Sequence, residues 1–367
     1  MTASFRTLVD EATIVVCCGS GGVGKTTAAA AIALQAALDG RRAVVVTIDP
    51  AKRLADALGI GHGGLTNDPA LIDGVGEGSG ELWAMMLDTR TTFDSLVNRH
   101  AREPEQAARI LDNRFYRNIA GALSGTQEYM AAEKLYELHG DERFDLVVVD
   151  TPPTRNALDF LDAPGRLIRF LDHRLYRILM TPTRVGLRMM NVAAQVFLRT
   201  ISRLVGGEVI ADVIAFFQAF DGMEAGFRDR AAAVMGLLGA DSTRYVLVAS
   251  PRNDTIVEAM YFGDKLAASG LSVAGVVVNR LHPTFGKGTA TSAAGRAKKA
   301  RTSGDDANAE LWENLAELRQ VAEREGEALD PLRAHIGDAP VARVPLQSTD
   351  VHDVDGLRAI AAEIFAR

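Results

Sequence analysis

The sequence is short of cysteine, of long apolar runs and of excess positive charge, and each shortage excludes a class of protein. The two cysteines among 367 residues, Cys17 and Cys18, are adjacent in an apolar run. Neighbouring residues of a strand point to opposite faces, so no disulfide between them is expected. No run approaches about 18 residues without polar groups, which predicts no membrane span. The first residues lack the layout of a secretory signal, so reduced thiols and a cytoplasmic location are expected.

The charge balance argues against nucleic-acid binding. The net charge is −7, with 40 Lys and Arg residues against 47 Asp and Glu residues. Binding to nucleic acid in general needs Lys and Arg clustered on one face. No nucleic-acid partner is therefore expected. The hydrophobic fraction of 47% and charged fraction of 24% are ordinary for a globular protein.

The most informative motif is a complete G-x-x-x-x-G-K-[ST] phosphate loop between an apolar run at 14–18 and an alanine-rich helical stretch at 28–38. In that context successive backbone N–H groups converge on phosphates, and the helix N-terminus adds partial positive charge. Lys25 is predicted to reach the β and γ phosphates, and the Thr26 hydroxyl to bind Mg²⁺. The alternative is a tight turn that binds nothing. The predicted nucleotide contacts are Gly19, Ser20, Gly21, Gly22, Val23, Gly24, Lys25, Thr26 and Thr27.

Further β-branched runs indicate the fold class. They occur at 43–48, 145–149, 244–248 and 275–278, with weaker strand candidates at 82–87 and 341–344. Apolar strands separated by helical patterns indicate a parallel sheet covered on both faces. The sequence therefore predicts an α/β fold, a doubly wound and mostly parallel sheet with a P-loop NTPase core and an inserted helical subdomain. The core is predicted to span 1–92, 141–160 and 239–367, and the subdomain 93–140 and 161–238.

Two aspartates follow predicted strands at the edge where ligands of such sheets bind. Asp150 ends the 145–149 strand and is assigned to hold a water bound to Mg²⁺. Asp49 follows the 43–48 strand and is left to orient or deprotonate the attacking water. For each, the alternative is an ordinary turn or helix-capping aspartate.

Asn279 and the loop at Pro345 and Leu346 are candidates for contact with the base. Asn279 ends the 275–278 strand, and its amide offers the donor and the acceptor that an adenine edge requires. Pro345 and Leu346 follow the 341–344 strand and are placed to pack on the base. An ordinary turn is the alternative for each of them.

Taken in order, these segments resemble the arsenical-pump ATPases and the related ATPases that target tail-anchored membrane proteins, most of all the actinobacterial anion-transporting branch. The matching segments are the phosphate loop, 49–51, 150–154, 278–280 and 345–357. The resemblance spans nearly the whole chain. It implies a deviant Walker A ATPase that uses ATP and Mg²⁺ and dimerises with its nucleotides facing each other. By the same resemblance Asp49 positions water, Asp150 reports on Mg²⁺, and Asn279 and the loop at Pro345 contact adenine.

The departures from the family pattern concern charge and metal. The family normally carries a lysine before the paired glycines that crosses the dimer interface, whereas this chain has Ser20. A serine hydroxyl cannot supply a full charge. A homodimer is then expected to hydrolyse ATP slowly. In a heterodimer, the lysine of a paralogue is expected to complete the site of this chain. Arg155, two residues after Pro153, either supplies the charge in cis or lies on the surface. The Cys-x-x-Cys pair of the eukaryotic relatives is absent, so no zinc is expected.

Two further regions bear on partners. In the predicted subdomain, apolar residues that include Met189, Met190 and Phe197 recur at helical spacing, either as plain core or as a groove for a hydrophobic or membrane-protein client. The segment 285–306 combines small and basic residues without apolar periodicity. It is predicted to be a mobile insertion, which is either a solvated loop or a contact with anionic lipid at the membrane periphery.

These observations favour a Mg-ATP-dependent dimeric ATPase that couples nucleotide state to movement of the helical subdomain, for handling or targeting of a membrane-related client. One alternative is a nucleotide-gated, weakly hydrolysing binding subunit of a heterodimer. Another is a partition or division-site ATPase, which normally lacks so large a helical insert.

Overall fold

The computed structural model describes residues 4–49, 53–61, 64–76, 80–119, 126–152, 158–173 and 207–366. The described residues fall into two units. The first lies within 1–86, 141–158 and 241–367, and the second lies within 87–140 and 159–240.

An eight-stranded sheet forms the centre of the first unit. Its strands are β1 Ile14–Cys18, β2 Arg42–Thr47, β3 Ala70–Leu71, β4 Glu81–Met86, β5 Leu146–Asp150, β6 Thr243–Ala249, β7 Val273–Leu281 and β8 Val341–Pro345. The order across the sheet is β3-β4-β2-β5-β1-β6-β7-β8. All neighbours pair in parallel except β3 and β4. The predicted α/β fold class is confirmed, and the two-residue strand β3 is the one the sequence did not indicate, because two residues carry no periodicity.

The central strands are apolar throughout because helices cover both faces of the sheet. Every residue of β1 and of β5 is buried. One face packs on the helix Lys25–Leu38, whose alanines share a hydrophobic cluster with Val15, Val45 and Val148. Small alanine side chains let this helix lie close to the sheet, which fixes its N-terminus at the carboxyl end of β1.

Other helices of the first unit complete the layers around the sheet. They are Phe5–Glu11, Arg53–Ala57, Asn253–Ala268, Ala290–Thr302, Asp306–Ala328, Asp330–Ile336 and Val354–Ile364. The last of these buries Leu357, Ile360, Ala361 and Ile364, the stripe that the sequence places on one face. These residues join the same cluster as the alanines.

The segment 285–306 differs from its sequence prediction, since it contains the helix Ala290–Thr302. Thr289 and Ser292 form a capping box at its start. The buried positions are Ala293 and Ala297, one turn apart. Arg301 pairs with Glu313 of the helix Asp306–Ala328 at 2.8 Å. The sequence signal was weak because the buried face of this helix consists of alanines, and tertiary contact with the following helix compensates for it.

The second unit is helical. Its helices are Thr89–His100, Pro104–Leu111, Arg114–Ile119, Thr126–His139, Asp159–Asp172, Gly207–Ala219 and Glu224–Leu238. Their shared core includes Leu96, Ile110 and Phe216, and the ring of Phe216 lies nearly parallel to that of Tyr116. Within the described ranges, no helix has both the length and the apolar character needed to cross a membrane. Met189, Met190 and Phe197 lie outside the described residues.

Candidate functional site

The phosphate loop leaves β1 in the middle of the sheet and enters the helix Lys25–Leu38. Gly22 and Gly24 have φ angles of 78° and 90°, a left-handed backbone that glycine adopts without strain. Gly24 is the N-cap of the helix, and a side chain there would collide with the amide of Asn279. The first N–H groups of the helix have no partner within it, so they face the loop at the carboxyl edge of the sheet.

Lys25 is buried inside this loop. Its Nζ donates a hydrogen bond to the backbone carbonyl of Ser20 at 2.8 Å, and the residue is only 6% exposed. Burial lowers the pKa of Lys25, while the nearby Asp150, Cys18 and Asp49 oppose that effect. A phosphate oxygen is a stronger acceptor for an ammonium group than a neutral carbonyl. The geometry therefore suits transfer of this ammonium to a phosphate.

Asp150 lies at the end of β5 with its two carboxylate oxygens in different environments. Oδ2 accepts hydrogen bonds from the hydroxyls of Thr26 at 2.8 Å and Thr47 at 2.9 Å. Oδ1 is buried, with no hydrogen-bond partner among the described residues. Burial raises the pKa of Asp150 to about 6, against the hydrogen bonds from Thr26 and Thr47 and the charge of Lys25. Mg²⁺ prefers oxygen ligands, and the Thr26 hydroxyl lies beside a carboxylate that has one oxygen without a partner within the described ranges. Thr26 and Asp150 therefore fit Mg²⁺ and are the residues that would hold it.

Asp49 follows β2 and is connected to Asp150 through Thr47. The backbone N–H of Asp49 donates to the Thr47 hydroxyl at 3.2 Å, and the same hydroxyl donates to Asp150. The Asp49 carboxylate lies 3.5 Å from the guanidinium of Arg53. Sequence reasoning passed over Thr47, because a threonine within a β-branched run is indistinguishable from a strand former.

Ser20 contributes its backbone to the site, and its hydroxyl is enclosed there. The residue is 7% exposed, and its Oγ has no hydrogen-bond partner in the described part of the chain. A buried hydroxyl without a partner is unfavourable by about 1 to 3 kcal/mol. An incoming acceptor would relieve that penalty.

Asn279 is turned toward the phosphate loop, but it lies within β7, which continues to Leu281, and does not end the strand as the sequence predicted. Its Nδ2 donates to the carbonyl of Val23 at 2.9 Å, and its Oδ1 accepts from the backbone N–H of Arg280 at 2.9 Å. Pro345 and Leu346 lie on the far side of β7, where the N–H of Leu346 donates to the carbonyl of Leu281 at 2.8 Å. The Leu346 side chain is about half exposed. Contact of these residues with adenine stays a prediction.

The cysteines lie directly under the site and are poor metal ligands there. Cys17 pairs in register with Asp150, and both cysteines are fully buried. Burial raises the pKa of Cys18 to about 12 and that of Cys17 well above its usual range. Metal binding requires the thiolate, which this environment disfavours.

Several predicted positions lie outside the described residues. They are Pro50 and Ala51 after Asp49, and Pro153, Thr154 and Arg155 after Asp150.

Comparisons with known proteins show which family and which relatives this chain is similar to. A family model described as anion-transporting ATPase matches residues 12–302. The protein "ATPase asna-1" of Caenorhabditis elegans is 25% identical over 295 residues, which cover 77% of this chain and 78% of the relative. The "Arsenical pump-driving ATPase" of Acidiphilium multivorum is 24% identical over 350 residues, which cover 94% of this chain and 48% of the relative. The "ATPase get3" of Aspergillus terreus is 29% identical over 174 residues, which cover 47% of this chain and 49% of the relative. The chain thus aligns with about half the length of each of these last two relatives.

Proposed function

This chain belongs to the anion-transporting ATPase family, and from that premise we propose that it hydrolyses ATP at the phosphate loop 19–27. The observation that carries the proposal is the arrangement around Asp150. A buried ammonium, a helix N-terminus, a hydroxyl and a carboxylate with an unused oxygen meet at one strand edge. Burying an ammonium and a carboxylate with an unpaired oxygen is costly, so a turn with only a structural role would not be expected to contain them. A bound nucleotide explains their presence.

The proposed roles follow from position and chemistry. Lys25 leaves the Ser20 carbonyl and binds the β and γ phosphates, while the backbone N–H groups of the loop bind the phosphate oxygens. Thr26 and Asp150 would hold Mg²⁺, with Asp150 predicted to do so through water. When bound, Mg²⁺ neutralises charge that develops on the phosphate oxygens. Asp49 orients the attacking water and accepts its proton.

Binding of the base is proposed for Asn279, Pro345 and Leu346. Asn279 already uses one amide hydrogen on Val23, and a second amide hydrogen remains for a base nitrogen. The exposed Leu346 side chain offers an apolar surface against which a base can pack.

The second unit is proposed to respond to the nucleotide and to handle a hydrophobic or membrane-protein client. Among its described residues, three large apolar side chains on different helices are exposed, namely Phe170, Val209 and Met235. The client is proposed from the resemblance of the sequence to the ATPases that target tail-anchored membrane proteins. Dimerisation with facing nucleotides is part of the same proposal. The presence of so large a helical unit disfavours a partition or division-site ATPase.

Steady-state ATPase assays together with calorimetry test this function. Wild type is expected to bind Mg-ATP and to release phosphate, and Lys25→Ala is expected to lose most nucleotide affinity because it removes the main cation of the loop. Unchanged affinity in Lys25→Ala would remove the phosphate-loop assignment.

A second candidate function is favoured by Ser20. The chain would then be a nucleotide-gated, weakly hydrolysing subunit of a heterodimer, whose paralogue carries the lysine that Ser20 replaces. Mixing wild type with such a paralogue is expected to raise turnover on the order of 100-fold. The stimulated rate should depend on Asp49 of this chain, and fast turnover by the unmixed protein would contradict the heterodimer.

A further inference from the structure

Arg53 places a cation beside the water-orienting carboxylate. It is the first residue of the helix Arg53–Ala57, and its guanidinium lies 3.5 Å from the Asp49 carboxylate. The Arg53 side chain is 56% exposed, while that of Asp49 is 11% exposed. Arg53 therefore reaches from solvent to a carboxylate that lies within the site.

The charge of Arg53 also acts on the phosphate loop itself. Among the charged groups that act on the pKa of Lys25, Arg53 lowers it, against the raising effects of Asp150 and Asp49. Lys25 and Arg53 thus both lie in the neighbourhood of Asp49. Any anion that approaches Lys25 and Asp49 enters the field of both cations.

Helix stability does not explain a cation at this position. A positive charge in the first turn opposes the helix dipole, which favours acidic residues there. The Arg53 side chain is more than half exposed, so solvent screens its charge and the ion pair with Asp49 contributes little to stability. The position is more readily explained by a ligand of negative charge.

Because Ser20 stands where the family normally has a lysine, the site lacks one positive charge. The Ser20 hydroxyl has no charge to offset the negative charge that develops on the transferred phosphoryl group. We propose that Arg53 supplies this charge within the chain, by exchanging the Asp49 carboxylate for the γ-phosphate. This assignment rests on the proposed ATPase function and goes beyond it by naming the source of the charge.

A double-variant cycle tests the assignment. Arg53→Ala is expected to lower the ATPase rate of the unmixed chain on the order of 100-fold, and Arg53→Lys to retain part of it. Ser20→Lys provides an alternative cation, so it should restore most of the rate in the Arg53→Ala background. The Arg53→Ala substitution should then lower the ATPase rate far less in the Ser20→Lys background than in wild type.

Binding supplies a readout that does not depend on turnover. A residue that contacts the γ-phosphate favours Mg-ATP over Mg-ADP, so Arg53→Ala should reduce the ratio of the two affinities about tenfold while leaving Mg-ADP affinity unchanged. Arg42→Ala is the matched control, because Arg42 forms an exposed ion pair with Asp145 at the opposite end of the strands. It should change neither the ratio nor the rate.

The outcomes separate this assignment from the function on which it rests. If wild type binds Mg-ATP and Arg53→Ala changes neither the affinity ratio nor the rate, the Arg53 assignment is wrong and the ATPase proposal stands. A faster ATPase rate in Arg53→Ala would show that the ion pair between Arg53 and Asp49 inhibits hydrolysis. That result would also overturn the assignment. Wild type that binds no nucleotide would overturn both.

Discussion

The Thr26 hydroxyl donates a hydrogen bond of 2.8 Å to the Asp150 carboxylate, across 124 positions of sequence. This contact joins the start of the helix after the phosphate loop to the end of β5. It fills one carboxylate oxygen and leaves the other without a partner among the described residues. In the proposed function, this pair lies where the divalent cation and the phosphates would meet.

Asp150→Asn is expected to stabilise the metal-free protein at pH 8. Because the pKa of Asp150 is about 6 when folded, against an ordinary value of 3.8, the folded state binds the proton more tightly. Stability therefore falls as pH rises from about 4 to 6, and the ionised carboxylate costs on the order of 3 kcal/mol above that range. Denaturant unfolding should show the gain at pH 8 and little of it at pH 4.

Asp145→Asn is the control, because its expected change in stability at pH 8 has the opposite sign. Hydrogen bonds from Arg42 lower the pKa of Asp145 to about 2, so its carboxylate contributes stability at pH 8 and loses it only in acid. That variant should be slightly destabilised at pH 8, since the pair is exposed. An equal loss of stability in Asp150→Asn at both pH values would contradict the expected burial penalty.

Asp49→Asn is expected to retain ATP affinity and to lose turnover by a factor on the order of 10² to 10⁴. The amide keeps the shape of the side chain but cannot accept a proton from water. Calorimetry and phosphate-release assays check the two halves of this expectation. Asp56→Asn, an exposed position in the helix Arg53–Ala57, is the matched control. Normal hydrolysis by Asp49→Asn would leave Asp49 as a structural turn residue.

Asn279→Ala is expected to weaken the affinity for ATP about tenfold more than the affinity for inorganic triphosphate, because it removes the amide that is proposed to contact the base. The variant removes the hydrogen bond from Asn279 to the Val23 carbonyl, which supports the phosphate loop. Calorimetric titration with both ligands distinguishes the two roles. An equal loss for both ligands would leave Asn279 as a support of the phosphate loop and would contradict its proposed contact with the base.

Both cysteine thiols are expected to be unreactive in the native protein. They are fully buried, and their pKa values are raised by that burial. A thiol reagent at pH 8 should label neither cysteine until denaturant unfolds the sheet, after which both should react. Rapid labelling of the native protein would show that β1 opens more readily than its burial implies.

The sequence alone indicated the phosphate loop, the helix that follows it and the positions of the main strands along the chain. These depend on local patterns, since glycine spacing sets the turn and continuous β-branched runs specify strands buried on both faces. It also indicated that Asp49 and Asp150 lie at the carboxyl ends of their strands, and parallel strands place those ends at one edge. Lys25 was selected from the phosphate-loop motif. Asn279 was selected as the end of a strand, but β7 continues past it to Leu281.

Only the tertiary structure decided what those side chains touch. The sequence does not show that Thr47 connects Asp49 to Asp150, because the strands that hold them are neighbours only in the folded sheet. It does not show that the Asn279 amide points to Val23, or that Arg53 faces Asp49. The helix Ala290–Thr302 was missed because alanines give little periodic signal until a neighbouring helix packs on them. Patterns of type and spacing are local, whereas direction, partners and charge environment arise from residues far apart in the chain.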